Sequence, residues 1–172
     1  MDFFKVISER ESIRAYDPDN KIEDKVIKKI LEAGRIAPSA ANRQPWKFIV
    51  VSSEAMLEKV RKCYSREWLH SAPHILIVKG KRDKAWTRKY DKYNSLETDL
   101  TIAMDHMILA AENEGVGTCW IAAFEPDVLK KALNLDDDEF VFAITPLGYT
   151  PEGFSKSGSK IRKPLEEVAE FI

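Results

Sequence analysis

The stretch Pro38–Trp46 carries the side chains with the clearest capacity for chemistry, because it is rich in amide and hydroxyl groups. Prolines at both of its ends stop helix formation, since the ring fixes φ and removes a backbone donor. Between them, Ser, Asn and Gln side chains offer donors and acceptors. These groups either bond the local backbone, as in an ordinary stabilised loop, or bind a polar, flat ligand. The stretch alone leaves both interpretations open.

Basic residues near the two ends of the chain form a second candidate site: Arg10, Arg14, Lys160 and Arg162. Arg10 and Arg14 are four residues apart with Ser12 between them, so they can converge on one anion. The alternative for such a pair is solvated surface charge. The chain contains neither GxxxxGK followed by Ser or Thr nor GxGxxG. A phosphate at this site would therefore be held by side chains.

Other kinds of catalytic centre find no support in the sequence. His70 and His74 have a spacing that suits a metal on a helix, but Pro73 lies between them and no third ligand is in view. The sequence therefore predicts no metal site at these histidines. No arrangement of Ser, His and Asp or of Cys and His indicates nucleophilic catalysis either.

The composition describes one soluble globular domain, residues 1–172, with 44% hydrophobic and 32% charged residues. A net charge of −1 gives no general attraction to nucleic acid or to anionic membranes. No apolar run approaches the roughly 20 residues of a membrane helix, and the N-terminus lacks the layout of a signal peptide. Two cysteines, Cys63 and Cys119, suit a reducing compartment. We therefore expect a cytoplasmic protein.

Hydrophobic periodicity predicts the elements that must position these residues. Helices are predicted over residues 2–10, 23–36, 54–63, 96–114 and 125–133, and strands over 46–52, 74–78, 117–124 and 140–144. Lys79–Lys84 is expected to be a hairpin or a surface loop, and Gly115 is expected to cap the longest helix. The strand over 117–124 ends in small residues, so its backbone amides should face whatever lies beyond it.

Five short motifs together resemble the FMN-dependent nitroreductase family. They follow the order in which the family has them and extend over almost the whole chain. They are Arg10-x-Ser12-x-Arg14, Pro38-Ser39-x-x-Asn42-x-Gln44-Pro45-Trp46, Gly115-x-Gly117-Thr118-Cys119-Trp120-Ile121, Pro146-Leu147-Gly148-Tyr149 and Lys160-x-Arg162-x-Pro164-Leu165.

The resemblance implies an α+β, nitroreductase-like fold with a mixed central β-sheet flanked by helices. It also implies an intertwined homodimer with FMN at the interface and a C-terminal tail that crosses onto the partner. The residues that match FMN contacts fall into four groups. They are Arg10, Ser12, Lys160 and Arg162 at the phosphate, Arg14 at the pyrimidine edge, Pro38, Ser39, Ala40 and Asn42 in a loop from the other subunit, and Ala122 and Ala123, whose amides approach flavin N5.

The implied function is an NAD(P)H-dependent FMN oxidoreductase acting on a nitroaromatic, a quinone or a similar small electrophile. The cofactor carries the chemistry, so no catalytic side chain is predicted beyond Arg14 as an electrostatic stabiliser. The chain departs from the family where Ala122 replaces a frequent glycine, and where Ser65, Arg66 and Trp68 replace an Asn and a Lys that often reach the flavin. The alternative is a flavin-binding protein without turnover, which serves as a store or a sensor.

Overall fold

The structure is a computed structural model that describes residues 2–172. The helices are α1 (Phe3–Glu9), α2 (Asp24–Arg35), α3 (Glu54–Arg61), α4 (Leu96–Asn113) and α5 (Pro126–Leu133). The strands are β1 (Trp46–Val51), β2 (His74–Lys81), β3 (Gly117–Thr118) and β4 (Glu139–Gly148). Short 3-10 helices cover Ala40–Asn42, Glu67–Ser71, Arg82–Lys84 and Leu165–Glu167. The five α-helices and the four strands all begin within one residue of their predicted starts.

The four strands form one antiparallel sheet in the order β1-β2-β4-β3, with helices on both faces. The α+β class is thereby confirmed. Within residues 2–172, the predicted mixture of strand directions is limited to one isolated parallel bridge, which joins Ser12 to Thr118. β2 lies in the interior because its continuous apolar run suits a strand that is covered on both faces.

Alternate side chains of β2 face two separate cores. Leu76 and Val78 belong to the core that β2 forms with α2 and α4. Ile75 and Ile77 belong to the core that it forms with α3 and α5. Burial of a large aliphatic side chain contributes about 1.5–3 kcal/mol. Burial on both faces therefore fixes the sheet between its two helical layers.

The second strand is longer than predicted. The expectation of a hairpin or loop over Lys79–Lys84 is wrong for the first half of that segment, because β2 continues to Lys81. Lys79 is only 5% exposed, and its Nζ donates to the carboxylate of Glu139 on β4. A charge that is paired in this way can remain in a buried strand, and the sequence alone did not reveal the pairing.

The third strand is shorter than the predicted strand over 117–124. β3 ends at Thr118, because the next backbone N–H, that of Cys119, donates to the side-chain hydroxyl of Thr145 at 3.1 Å. This bond replaces one that would have continued the ladder. Pairing returns at a single bridge between Ile121 and Ile144.

Helix α4 ends in a Schellman motif, which confirms Gly115 as the predicted cap. Gly115 has a φ of +74°, a left-handed conformation that favours glycine. The N–H of Val116 donates to the carbonyl of Ala111 at 2.8 Å, and that of Gly115 donates to Glu112 at 3.0 Å. The motif leads directly into β3, so the end of α4 is held next to this edge of the sheet.

Large apolar side chains are exposed near both ends of the chain. They are Phe3, Phe4, Ile7, Ile161, Leu165, Val168, Phe171 and Ile172. Groups of exposed apolar side chains are typical of interaction surfaces. Among residues 2–172, no helix has the length and apolar character that crossing a membrane requires.

Candidate functional site

Three of the predicted phosphate-binding cations lie together at the end of α1. The backbone N–H of Arg10 closes the last turn of this helix. Lys160 Nζ donates to the carbonyl oxygen of Ile7 at 3.3 Å and to that of Ser8. Partial burial, followed by the charges of Arg10 and Arg162, lowers the pKa of Lys160. Arg10, Lys160 and Arg162 therefore form one patch of positive charge, here called the basic cluster.

The segment that carries Lys160 is held by contacts that the sequence did not reveal. Lys156 Nζ donates to the carboxylate of Glu112 in α4 and to the carbonyl of Glu9, the latter at 3.1 Å. Ser157 Oγ donates to the carboxylate of Glu11 at 2.7 Å, and this bond holds the pKa of Glu11 below its usual range. Lys156 is separated along the chain from Glu9 by 147 residues and from Glu112 by 44 residues. Hydrophobic periodicity gives no indication of contacts over such separations.

Ser12 and Arg14 are exposed on one side of an extended segment. Ile13, between them, is 1% exposed, and its N–H donates to the carbonyl of Thr118 at 2.8 Å. The hydroxyl of Tyr16 donates to the carbonyl of Ile13 at 2.6 Å, and burial raises the pKa of Tyr16. Because side chains alternate along an extended chain, burial of Ile13 directs both neighbours away from the core.

The loop between α2 and β1 is stabilised by its own side chains. Ser39 Oγ accepts from the backbone N–H of Gln44 at 2.9 Å, and the Gln44 amide donates to the side chain of Asn42 at 3.1 Å. These side chains therefore form hydrogen bonds within the loop, which is one of the two possibilities that the sequence left open. Ala41, Asn42 and Gln44 have φ values of 51°, 54° and 50°. Left-handed backbone costs roughly 1–2 kcal/mol per residue outside glycine, and such strain clusters at functional sites.

Two contacts hold this loop against the body of the protein. The carbonyl of Pro45 lies so close to Gly80 in β2 that a Cβ at position 80 would be 2.4 Å from it. The backbone N–H of Ala40 donates to Oδ1 of Asp99 in α4 at 2.8 Å, and Asp99 is 1% exposed. The sequence analysis missed Asp99. The available signal was a carboxyl group next to Leu100 within the apolar stripe of α4. Pro38, at the start of the loop, is exposed.

Ala122 and Ala123 are exposed between two anchored residues. Ile121 exchanges backbone hydrogen bonds with Ile144 at 2.9 and 3.1 Å, and Phe124 is 9% exposed. Within residues 2–172, the N–H groups of the two alanines have no protein acceptor. They are free to donate to a ligand, as the sequence analysis expected of this segment.

The loop and the basic cluster lie at opposite ends of α4. Asp99, in its first turn, holds the loop, and Glu112, in its last turn, holds the segment with Lys160. At about 1.5 Å of rise per residue, these two anchors are about 20 Å apart. The sheet agrees, because Trp46 follows the loop on the edge strand β1, whereas Thr118 lies on the opposite edge strand β3. Within one chain, the structure does not bring the two groups of predicted residues together.

Comparisons with known proteins extend over nearly the whole chain. The family model described as nitroreductase family matches residues 7–64 and 56–149. A protein of Archaeoglobus fulgidus, named as a candidate NADH dehydrogenase/NAD(P)H nitroreductase, is 34% identical over 149 residues, which are 84% of this chain and 83% of that protein.

Solved structures show the same similarity. A nitroreductase family protein from Clostridium difficile is 32% identical with a TM-score of 0.91, covering 99% of this chain and 98% of that one. A candidate nitroreductase from Desulfovibrio desulfuricans, crystallised in complex with FMN, is 27% identical with a TM-score of 0.81, covering 98% of this chain and 95% of that one. The predicted resemblance is confirmed, and this chain belongs to the nitroreductase family.

Proposed function

We propose that the chain is an FMN-dependent NAD(P)H oxidoreductase that reduces a nitroaromatic, a quinone or a similar small electrophile. The observation that carries this proposal is the basic cluster, in which the charges of Arg10 and Arg162 help to lower the pKa of Lys160. A phosphate bound among these cations would relieve their mutual repulsion. Family membership and the FMN bound to the relative from Desulfovibrio desulfuricans support the same cofactor.

The phosphate end of FMN would bind to Arg10, Lys160 and Arg162, with the exposed hydroxyl of Ser12 as a further donor. A hydrogen bond to a charged group contributes about 1.5–3 kcal/mol. These side chains fit the group because three of them carry positive charge, and because Arg10 and Arg162 lie near enough to Lys160 for their charges to lower its pKa. No glycine-rich phosphate loop is needed.

The flavin ring would meet Arg14 and the two exposed alanines. Arg14 lies on the same side of its segment as Ser12, so it would hold a positive charge by the pyrimidine edge and stabilise the negative charge that reduction places there. The free N–H groups of Ala122 and Ala123 would face N5. Bound FMN supplies hydride transfer at N5, from NADH or NADPH to the electrophile in a ping-pong cycle. The chain itself binds and orients both partners.

The other half of each site would come from a second copy of the chain, through Pro38, Ser39, Ala40 and Asn42. The separation of about 20 Å along α4 supports this assignment, because it keeps the loop away from the cluster of its own chain. The exposed apolar side chains of the C-terminal tail support a homodimer in which the tail crosses onto the partner. Two free, buried cysteines are compatible with the reducing cytoplasm as its location.

The visible spectrum of the purified protein tests the proposal. We expect flavin absorbance after reconstitution with FMN, anaerobic bleaching by NADH or NADPH, and recovery of the colour when a quinone or a nitroarene is added. Bound flavin that neither nucleotide bleaches would instead indicate the alternative, a flavin store or sensor. A protein that fails to bind FMN would contradict both functions.

A further inference from the structure

The buried carboxyl group of Asp99 has no role in the function proposed above. It lies in the first turn of α4, and its two oxygens accept from two different elements. Oδ1 accepts from the backbone N–H of Ala40 at 2.8 Å, and Oδ2 accepts from the hydroxyl of Ser95 at 2.7 Å. Ser95 is 2% exposed and Asp99 is 1% exposed, so solvent does not compete for either contact.

The loop needs such an acceptor because of its own geometry. Ala40 is the first residue of the 3-10 turn, and the first N–H groups of a helical turn have no acceptor within it. Two later donors are satisfied within the loop, since the N–H of Asn42 donates to the carbonyl of Ser39 at 2.9 Å and that of Arg43 donates to the carbonyl of Ala40 at 3.2 Å. Asp99 therefore supplies a hydrogen bond that ties the turn to helix α4.

The backbone that follows the contact is strained. Ala41, Asn42 and Gln44 are left-handed, and none of them is glycine. A conformation of this kind persists only when its surroundings determine it. The Ser39–Gln44 bond closes the loop from within, whereas the Asp99–Ala40 bond sets its position on the protein.

We infer that Asp99 is a positioning residue for flavin binding: it fixes the loop that presents Ser39, Ala40 and Asn42 to the flavin ring. The inference rests on the proposed function. Asp99 acts through the backbone of Ala40 and does not itself touch the flavin. Because the loop is assigned to the flavin of the partner subunit, the effect of Asp99 crosses the dimer interface.

The test compares variants that differ in what they can accept from Ala40. Asp99→Ala removes the acceptor, and we expect the Kd for FMN to rise about tenfold, the effect of losing about 1.4 kcal/mol. Asp99→Asn keeps an oxygen for the Ala40 N–H and places an NH₂ group against the Ser95 hydroxyl, which can accept. Its Kd should stay within about threefold of the wild-type value. Rescue by the amide identifies the hydrogen bond, and not the charge, as the cause.

A second variant removes the same bond from the loop side. Ala40→Pro deletes the donor and leaves α4 unchanged, and the extended backbone of Ser39 (φ −141°, ψ 156°) is compatible with a following proline. It should raise the Kd as Asp99→Ala does, and it keeps the test usable if the alanine variant does not fold. The control is Val60→Ala, a substitution on the buried face of α3. It should lower the melting temperature without changing the Kd for FMN.

Two readouts separate the inference from its alternatives. Hydrogen exchange of the amides over residues 39–44 should accelerate in Asp99→Ala without any flavin present. The Kd values for FMN and riboflavin should rise by the same factor, because the loop is assigned to the ring and not to the phosphate. If Asp99→Ala lowers the melting temperature but leaves exchange and both Kd values unchanged, Asp99 is merely structural and the inference is overturned. Failure of the wild-type protein to bind FMN, with faster loop exchange in the variant, would overturn the proposed function and leave the anchoring of the loop supported.

Discussion

The two ends of helix α4 carry sites of different physical character. At the N-terminal end, a strained loop is held by neutral donors and one buried carboxyl group. At the C-terminal end, the basic cluster is held over α1 by segments from distant parts of the chain. The first end offers a shaped surface with polar edges, and the second offers charge. A cofactor with a flat ring and an anionic tail needs both, and one chain has them about 20 Å apart.

The largest effect is expected when charge is removed from the ligand or from the basic cluster. We expect FMN to bind at least about 100-fold more tightly than riboflavin, since several charge-assisted bonds of about 1.5–3 kcal/mol each act on the phosphate. Arg10→Ala should raise the Kd for FMN about 10- to 100-fold and leave the Kd for riboflavin unchanged. Flavin fluorescence titrations measure both ligands. Equal affinities in the wild-type protein would remove the assignment of the basic cluster.

Mixed dimers test whether the two ends of α4 serve different flavins. Arg10→Ala and Asn42→Ala homodimers should both have low activity. A heterodimer of the two variants has one site with both defects and one site with neither, so about half of the wild-type activity should return. Two different affinity tags allow the heterodimer to be isolated. If it regains no activity, each site is built within one chain.

A smaller effect separates Arg14 from the cluster. Arg14→Ala should lower the reduction potential of the bound flavin by about 30 mV, which for two electrons corresponds to about 1.4 kcal/mol. The Kd for oxidised FMN should change less than it does in Arg10→Ala. Spectroscopic titration against a dye of known potential gives the value, with Lys59→Ala as a control for loss of an exposed charge. Loss of FMN with an unchanged potential would make Arg14 a phosphate ligand.

The smallest effect is a pH dependence. Lys160 binds phosphate only while it is protonated, and its pKa lies below the usual lysine range. Above about pH 7, where the FMN phosphate is fully ionised, FMN affinity should therefore be constant until the pH reaches this lowered value and should then fall. Without ligand, the sign for folding is opposite: the unfolded chain binds more protons between the two pKa values, so stability rises with pH there. Lys160→Met should flatten both profiles, and a decline of equal slope in that variant would assign it to another group.

The sequence predicted what depends on periodicity and missed what depends on distant pairing. The starts of the helices and strands follow from apolar spacing, and the loop follows from its prolines. Asp99 and Ala40 are 59 residues apart, and nothing in either neighbourhood indicates the other. Lys79 was expected in a surface loop because its partner, Glu139, lies 60 residues further along the chain. The roles of the site residues toward FMN come from the family resemblance and stay predictions.

The way in which the basic cluster joins distant segments also orders events during synthesis. Lys160 contacts the carbonyl of Ile7 across 153 residues. At roughly 5–20 residues per second, a ribosome needs about 8–30 s to cover that interval. The loop and its anchor on α4 are translated well before Lys160. The proposed phosphate site, in contrast, is incomplete until residue 162 has emerged from the ribosome. A nascent chain would therefore form the anchored loop before it can hold the phosphate, and cofactor loading would be a late event that follows the fold.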